Sequence, residues 1–166
     1  MGAVSAASSS YNEAQMRRVT IHADGACEGN PGPGGYAAII EEDGLVREIA
    51  GAEPRTTNNR MELTAVIRAL GSLTGPARVH VATDSQYVVL GITQWIQAWK
   101  RKGWKTASGA PVKNRDLWEK LLDLVGRHRV SWEWIRGHAG HPGNEHADAL
   151  ARRAIAELRA KAAVDG

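Results

Sequence analysis

The 166-residue sequence has no phenylalanine, a single cysteine and no long apolar run. One cysteine excludes an internal disulfide and is typical of a reducing compartment, so we expect a cytoplasmic protein. No stretch of about 18 consecutive apolar residues occurs, which argues against a membrane-spanning helix. A large excess of one charge is also absent, because 21 basic residues stand against 18 acidic ones. The net charge of +3 indicates no partner by itself, so the distribution of the charges matters more.

The length and the two ends of the chain indicate its domain organisation. A chain of this size suits one domain with a substantial core and is short for two. Residues 1–16 are rich in alanine and serine but lack the basic start and apolar stretch of a signal peptide. We therefore expect a disordered leader over residues 1–16, one folded domain over residues 17–160 and a frayed tail over residues 161–166.

The first part of that domain predicts three antiparallel strands. Residues 19–24 alternate apolar and polar side chains, which predicts a strand that ends at or just beyond Asp24. Residues 25–35 carry five glycines and two prolines, so we expect a turn or loop there. Residues 36–40 and 45–50 flank an Asp43-Gly44 step, which is typical of a hairpin turn.

The remaining pattern alternates helices with two further strands. Thr57 or Asn58 can cap a helix, which would place Glu62 in its first turn. A short strand is predicted to finish at Asp84, followed by helices over about 85–102 and 114–124, a strand over 128–136 and a helix over about 144–160. This order predicts one α/β domain with a mixed five-stranded sheet.

Four carboxylates occupy positions that favour a common site. Asp24 and Asp84 end predicted strands, where sites gather in open α/β sheets. Glu62 and Asp148 lie near predicted helix starts, where an acid is also favoured electrostatically, so each one alone is more often a cap or a solvated charge. As a cluster they would suit Mg²⁺ or Mn²⁺ rather than Zn²⁺. Two such ions could hold both the attacking water and the leaving oxygen of a phosphodiester.

A second feature lies between Ser85 and Arg115, where no acidic residue occurs. Six cations fall in this interval and three tryptophans interleave with them: Lys100, Arg101, Lys102, Lys105, Lys113 and Arg115, with Trp95, Trp99 and Trp104. We call residues 95–105 the basic tryptophan segment. Its tryptophans could belong to the core and its cations to a solvated helix face. The one-sided charge favours the alternative, a surface that follows a nucleic-acid backbone.

Over residues 17–160 the sequence resembles the type 1 ribonuclease H family. The resemblance rests on four motifs whose order and spacing together are highly specific, at residues 23–35, 56–63, 83–88 and 137–148. It implies the ribonuclease H-like α/β fold, a five-stranded mixed sheet flanked by helices on both faces. It also implies a monomeric endonuclease, with no membrane association, that cuts the RNA strand of an RNA–DNA hybrid. Catalysis by two Mg²⁺ ions, with Mn²⁺ as a substitute, would leave 5′-phosphate and 3′-hydroxyl ends.

The same resemblance implies roles for individual residues. The metal ligands would be Asp24, Glu62, Asp84 and Asp148, and His138 on a flexible loop would assist proton transfer or product release. Substrate contacts would come from three groups of residues, in addition to the basic tryptophan segment. The resemblance implies the first two, a DNA-phosphate pocket (Arg55, Thr57 and Asn114) and positions near the RNA 2′-hydroxyls (Asn30, Glu62 and Gln86). The third, Asn58 and Asn59, belongs to the polar segment at residues 55–60, whose residue types by themselves could contact phosphate.

Two other functions remain open on the residues alone. One is an integrase- or exonuclease-type nuclease on the same sheet, and residues 56–63 together with the His138 loop argue against it. The other is a nucleic-acid-binding module without catalysis. Loss of one of the four acids would indicate such a module, and all four are present.

Overall fold

Five strands form one mixed sheet in the computed structural model, which describes residues 16–136 and 140–165. The strands are β1 (Arg18–Cys27), β2 (Gly32–Glu42), β3 (Leu45–Thr56), β4 (Arg78–Thr83) and β5 (Arg129–Trp134). Their order across the sheet is β3-β2-β1-β4-β5. The first three strands are antiparallel, whereas β4 and β5 run parallel to β1. The predicted mixed five-stranded sheet is confirmed.

Helices lie between and after these strands. They are α1 (Asn58–Gly71), α2 (Gln86–Leu90), α3 (Ile96–Arg101), α4 (Arg115–Val125) and α5 (Pro142–Asp165). A π-helical turn (Gly91–Trp95) joins α2 to α3, at the place where Gly91 packs directly against the Trp118 ring. The continuous helix predicted over 85–102 is therefore interrupted. The last helix also continues to Asp165, beyond its predicted end at Ala160.

The hairpin between β2 and β3 forms as predicted. Asp43 and Gly44 both have positive φ, 53° and 77°, which is the geometry of a tight two-residue turn with the right twist for antiparallel strands. Glu42 and Leu45 are paired directly across this turn. The Asp-Gly step thus sets the register of the whole hairpin.

The glycine-rich segment was predicted wrongly. β1 continues through Cys27 and β2 begins at Gly32, so residues 28–31 alone form the turn. A Cβ atom on Gly25 would lie 2.5 Å from the backbone nitrogen of Glu62, and one on Gly35 would overlap the backbone of Ala151. These glycines let helices approach the strands closely, which a sequence pattern cannot distinguish from a turn.

The hydrophobic core lies between one face of the sheet and α1 and α4. Alternate residues of β1 and β4 meet Leu63, Val66 and the fully buried Trp118 there. The opposite face of β1, β2 and β3 is covered by α5. Helices on both faces, as predicted, fix the carboxyl ends of β1 and β4 between α1 and α5. Within the described residues, every helix is too short or too polar to cross a membrane.

Candidate active site

Two neighbouring parallel strands bring the first two carboxylates together. Ala23 of β1 is in register with Thr83 of β4, so Asp24 and Asp84 occupy equivalent positions on adjacent strands. Asp84 directly follows its strand, as predicted, whereas β1 runs on for three residues beyond Asp24. Asp24 is 2% exposed, so its carboxylate lies at the bottom of the cleft.

Glu62 reaches the same point from α1. Thr57 caps this helix, because its hydroxyl accepts a hydrogen bond from the Arg60 backbone N–H at 3.2 Å. The helix begins at Asn58, so Glu62 lies in the second turn and not in the predicted first turn. Gly25 allows the helix to pack close enough for carboxylate oxygens of Asp24, Glu62 and Asp84 to lie within 4.8 Å of one another.

Asp148 joins the site from α5. It lies in the second turn of that helix and lines the same cleft, a cavity of about 550 Å³. Its Oδ2 accepts a hydrogen bond from Arg152 Nε at 2.9 Å, one helical turn away. All four predicted acids therefore line one cleft, and three of them form the tight cluster.

The electrostatics of the cluster are unfavourable to charge. Burial, together with the neighbouring charges of Asp84 and Asp148, raises the pKa of Asp24 to about 8. Burial and then Asp24 raise the pKa of Glu62 well above its ordinary value, against a hydrogen bond from the Gly25 backbone. Without a counter-ion, the fold therefore disfavours the charged form of both carboxyls.

The donor set fits a hard divalent cation. Within the described residues, Asp24 Oδ2 and Glu62 Oε2 are buried without a hydrogen-bond partner. Such oxygens are rare in folded proteins, because an unsatisfied buried polar atom destabilises the fold. A cation would satisfy both oxygens and reverse the shifts in pKa, and carboxylate oxygen is the ligand that Mg²⁺ and Mn²⁺ prefer.

Cys27 also lines the cleft but does not have the features of a nucleophile. Its Sγ is directed at two backbone carbonyls, those of Gly32 at 3.5 Å and Thr56 at 3.4 Å. Burial raises the pKa of this thiol, which disfavours the reactive thiolate. The chemistry of the cleft therefore depends on its carboxylates.

Several predicted substrate residues lie around the cluster. Asn58, Asn59 and Gln86 line the cleft with the acids. Asn30 is tied to this rim, since its Oδ1 accepts from the Asn58 backbone N–H at 3.0 Å. Arg55 is exposed near the end of β3, two residues before Thr57. Thr57 itself has a structural role as the helix cap, in addition to any contact with substrate.

Asn114 is held by a network that the sequence did not reveal. Its backbone is left-handed, with φ 62°. Its Nδ2 donates to the Tyr87 hydroxyl at 3.1 Å, and its Oδ1 accepts from Arg60 Nη1 at 3.2 Å. Arg60 is in turn paired with Asp116 at 2.9 Å. These residues fix the orientation of the Asn114 amide, and their contacts join α1, α2 and α4 across long sequence separations.

The basic tryptophan segment combines both interpretations offered by its sequence. Trp95, Trp99 and Trp104 form a chain of rings with centroids 5.9 and 6.5 Å apart. Trp99 and Trp104 pack against the core, whereas Trp95 is 38% exposed. The cations of the segment are exposed: Lys100, Arg101, Lys102 and Lys105. The tryptophans therefore anchor a surface from which the cations project.

Two cleft residues were missed by sequence reasoning. Trp134 donates from its Nε1 to the backbone carbonyl of Asp84 at 3.0 Å, and the Arg136 guanidinium lies 5.2 Å from its ring centroid. From the sequence, the place of Trp134 in an alternating strand predicted only that its side chain lies on one face of the sheet. Arg152 could have been found, because it stands four residues after Asp148, at the spacing of a helical ion pair.

His138 lies in residues 137–139, outside the described residues, as do residues 1–15 of the predicted leader. The proton-transfer role of His138 therefore stays a prediction.

This chain is similar to known proteins in both sequence and fold. The RNase H family model matches residues 16–156. A protein named Ribonuclease H from Pelobacter propionicus is 60% identical over 141 residues, which cover 85% of this chain and 86% of that protein. Another Ribonuclease H, from Stutzerimonas stutzeri, is 58% identical, with 85% and 93% covered. The crystal structure of LC9-RNase H1, a type 1 RNase H with the type 2 active-site motif, superposes with a TM-score of 0.77 at 40% identity, covering 86% of this chain and 74% of that one.

Proposed function

Since this chain belongs to the RNase H family, we propose that its carboxylate cluster hydrolyses the RNA strand of an RNA–DNA hybrid as an endonuclease. The observation that supports this most is the meeting of Asp24, Glu62 and Asp84 with buried oxygens that have no hydrogen-bond partner in the described structure. A cluster of acids whose negative charge is disfavoured by its surroundings is suited to binding cations. These cations would arrive with the substrate.

We propose Mg²⁺ as the physiological ion, two per site, with Mn²⁺ as a substitute. Asp24, Glu62, Asp84 and Asp148 would hold these ions, because all four line the cleft. When bound, the ions supply Lewis acidity, which activates water and neutralises charge on the phosphoryl group. Arg152 keeps the Asp148 carboxylate oriented through its 2.9 Å hydrogen bond.

The rim of the cleft would recognise the RNA strand. Asn58, Asn59 and Gln86 offer amide donors and acceptors beside the acids. A ribose 2′-hydroxyl both donates and accepts, and this group is what distinguishes RNA from DNA. Asn30 supports the rim through its hydrogen bond to the start of α1. The selection of an RNA strand would thus depend on these amide groups together with Glu62, which lines the same cleft.

The DNA strand would be bound by a separate set of residues. Arg55, Thr57 and Asn114 would bind one of its phosphates, with Arg60 and Tyr87 holding the Asn114 amide in position. The basic tryptophan segment would follow the same strand further along. Its exposed cations supply attraction to phosphates, and Trp95 offers an exposed aromatic surface. His138 would transfer a proton or assist release of the product.

One assay tests the proposed function directly. Duplexes of RNA–DNA, RNA–RNA and DNA–DNA, each with one labelled strand, are incubated with the protein in Mg²⁺ or in EDTA. We expect cleavage of the RNA in the hybrid alone, in Mg²⁺ alone, with 5′-phosphate ends. Cleavage of DNA would instead indicate an integrase- or exonuclease-type nuclease. Tight hybrid binding without any cleavage would indicate a binding module, and either result would overturn the proposal.

A further inference from the structure

Asp84 differs from the other three acids of the cleft in its backbone. Asp24 lies within β1, Glu62 within α1 and Asp148 within α5, so the hydrogen bonds of regular elements hold their main chains. Asp84 lies outside these elements, in the short link between β4 and α2. The position of its carboxylate therefore depends on contacts made to that link.

The two peptide groups that flank Asp84 are both held. Peptide groups are planar, so their orientations determine where the Cβ atom of Asp84 points. In the group before Asp84, the Thr83 carbonyl accepts from the Ile135 backbone N–H at 2.8 Å. In the group after it, the Asp84 carbonyl accepts from Trp134 Nε1 at 3.0 Å. The N–H of that second group, on Ser85, donates to the Thr83 hydroxyl at 3.1 Å. With both planes fixed, the carboxylate keeps only its own side-chain rotations.

The contact from Trp134 is the one that requires a particular side chain from a distant part of the sequence. Any residue except proline could supply the Ile135 N–H, because that donor belongs to the backbone. Trp134 is paired with Thr83 across the sheet, so its ring has to reach one residue further along to bind the Asp84 carbonyl. The ring is itself restrained, since the Arg136 guanidinium lies 5.2 Å from its centroid.

Packing alone does not explain a tryptophan at this position. Val130, Trp132 and Trp134 alternate along one face of β5. The first two pack against the hydrophobic core. Trp134 is 37% exposed and lines the cleft together with the acids. Hydrophobic burial therefore accounts for Trp132 but only in part for Trp134.

The carboxylate cluster gives the contact a purpose. Oxygens of Asp24, Glu62 and Asp84 lie within 4.8 Å of one another, and their negative charges repel. Asp84 is the member whose main chain could yield to this repulsion, because it lies between two elements and not within one. The hydrogen bond from Trp134 opposes such a movement. Ligands that are held in place before the cation arrives do not have to be reordered when it binds.

We propose that Trp134 is a positioning residue of the metal site. Its indole N–H fixes the peptide group after Asp84 and so keeps the Asp84 carboxylate beside those of Asp24 and Glu62. The inference rests on the proposed function, since it concerns the cations of the same cluster. Its main test is Mg²⁺ binding without substrate, which is independent of hydrolysis.

The first experiment measures Mg²⁺ affinity by calorimetric titration of the protein alone. Trp134→Phe removes the N–H donor and keeps an aromatic ring. Trp132→Phe makes the same change two residues earlier on the same strand and is the matched control. We expect the Mg²⁺ affinity to fall about tenfold for Trp134→Phe, as when a partner that orients a metal ligand is lost, and to stay at the wild-type value for Trp132→Phe. Benzothienylalanine at position 134 keeps both fused rings but has no N–H, so it should give the same loss with the packing preserved.

The second experiment uses turnover to separate positioning from substrate contact. With saturating hybrid, the Mg²⁺ concentration for half-maximal turnover should rise about tenfold for Trp134→Phe. The KM for hybrid, and the turnover in saturating Mg²⁺, should stay close to wild type. A raised KM with unchanged Mg²⁺ affinity would make Trp134 a substrate contact and overturn the proposal.

Equal Mg²⁺ affinities of Trp134→Phe and Trp132→Phe would overturn it as well. A tenfold difference between these variants in a protein that cleaves no hybrid would support the positioning role and contradict only the proposed hydrolysis.

Discussion

At the scale of single residues, the surroundings of the Asp24 carboxylate oppose its negative charge. It is buried beside Asp84 and Asp148 and has one oxygen without a hydrogen-bond partner among the described residues. The features that indicate a cation-binding role, burial beside other acids and an unsatisfied oxygen, therefore also destabilise the metal-free fold. Substitution should separate the two effects.

Asp24→Asn should abolish hydrolysis and stabilise the metal-free protein. The amide has nearly the same size but carries no charge, so repulsion by Asp84 and Asp148 disappears. We expect turnover to fall by orders of magnitude. The free energy of unfolding in EDTA at pH 8 should rise, on the order of a few kcal/mol, because a buried charge without a counter-ion is removed. Urea unfolding and a hybrid cleavage assay check the two parts. A variant that is less stable than wild type in EDTA would contradict this account.

The raised pKa of Asp24 also predicts how stability depends on pH. Between its ordinary value of 3.8 and about 8, the folded protein holds a proton that the unfolded chain releases. Stability of the metal-free protein should therefore fall as pH rises through this window and level off above it. Mg²⁺ binds the deprotonated acids, so its affinity should rise over the same range. Unfolding in EDTA and calorimetric Mg²⁺ titration at pH 5–9 test both slopes. Metal-free stability that increases toward pH 8 would refute the assignment.

His138 gives a further prediction at this scale. A histidine can exchange a proton near neutral pH, and a positioned acid–base group contributes about 10²–10⁴-fold to rate. We expect His138→Ala to lower turnover by about 10²-fold or less, with unchanged Mg²⁺ affinity. His141→Ala, a matched control three residues away, should have a smaller effect. Turnover is compared across pH 6–9. Wild-type activity of His138→Ala at every pH would remove this residue from the mechanism.

At the scale of elements, the contact between α1 and β1 positions the cluster. Gly25→Ala would place a methyl group 2.5 Å from the Glu62 backbone nitrogen, so the helix must move outward. We expect a loss of about 1–3 kcal/mol in stability, as for overpacked cores, and weaker Mg²⁺ binding. Gly71→Ala, at the open end of the same helix, is the control. Urea unfolding and Mg²⁺ titration measure both effects. Unchanged Mg²⁺ affinity in a folded Gly25→Ala protein would show that the close approach is dispensable.

The basic tryptophan segment should act on binding rather than on chemistry. Replacement of Lys100, Arg101 and Lys102 by alanine leaves the ring chain that anchors the segment. If all three contact phosphates, the slope of log K against log salt should shrink by up to about 3, at roughly 0.9 per contact. Turnover at saturating hybrid should stay close to wild type. A variant that removes charge at the exposed positions Arg47, Arg153 and Lys161 is the control. An identical salt slope in both variants would identify the three cations as a solvated face.

Elements with local causes could be predicted from the sequence. The Asp43-Gly44 turn and the Thr57 cap depend on neighbouring residues, and the alternation of β4 leads directly to Asp84. Gly25 and Gly35 were misread because what they accommodate is a helix far away in sequence. The Asn114 network and the Trp134 contact escaped prediction for the same reason. The four acids could be identified, but their spacing and burial required the fold.

At the scale of the whole molecule, charge is separated along the parallel strands. The carboxyl ends of β1 and β4 carry the acids, and their amino ends carry Arg18 and Arg78. The basic tryptophan segment begins at the last residue of the π-helical turn and continues through α3. One acidic and two basic regions thus lie around one sheet, which explains why the small net charge of the chain reveals none of them.

The place of α5 after all the other described elements has a consequence for biosynthesis. β1, α1 and β4 supply Asp24, Glu62 and Asp84, and all three are translated well before Asp148. Domains fold as units, with the amino-terminal part emerging from the ribosome first. A growing chain therefore lacks its fourth carboxylate, and the cover over β1–β3, until translation reaches the last helix. The set of four carboxylates that lines the cleft is therefore completed only once α5 has been synthesised and packed on the sheet.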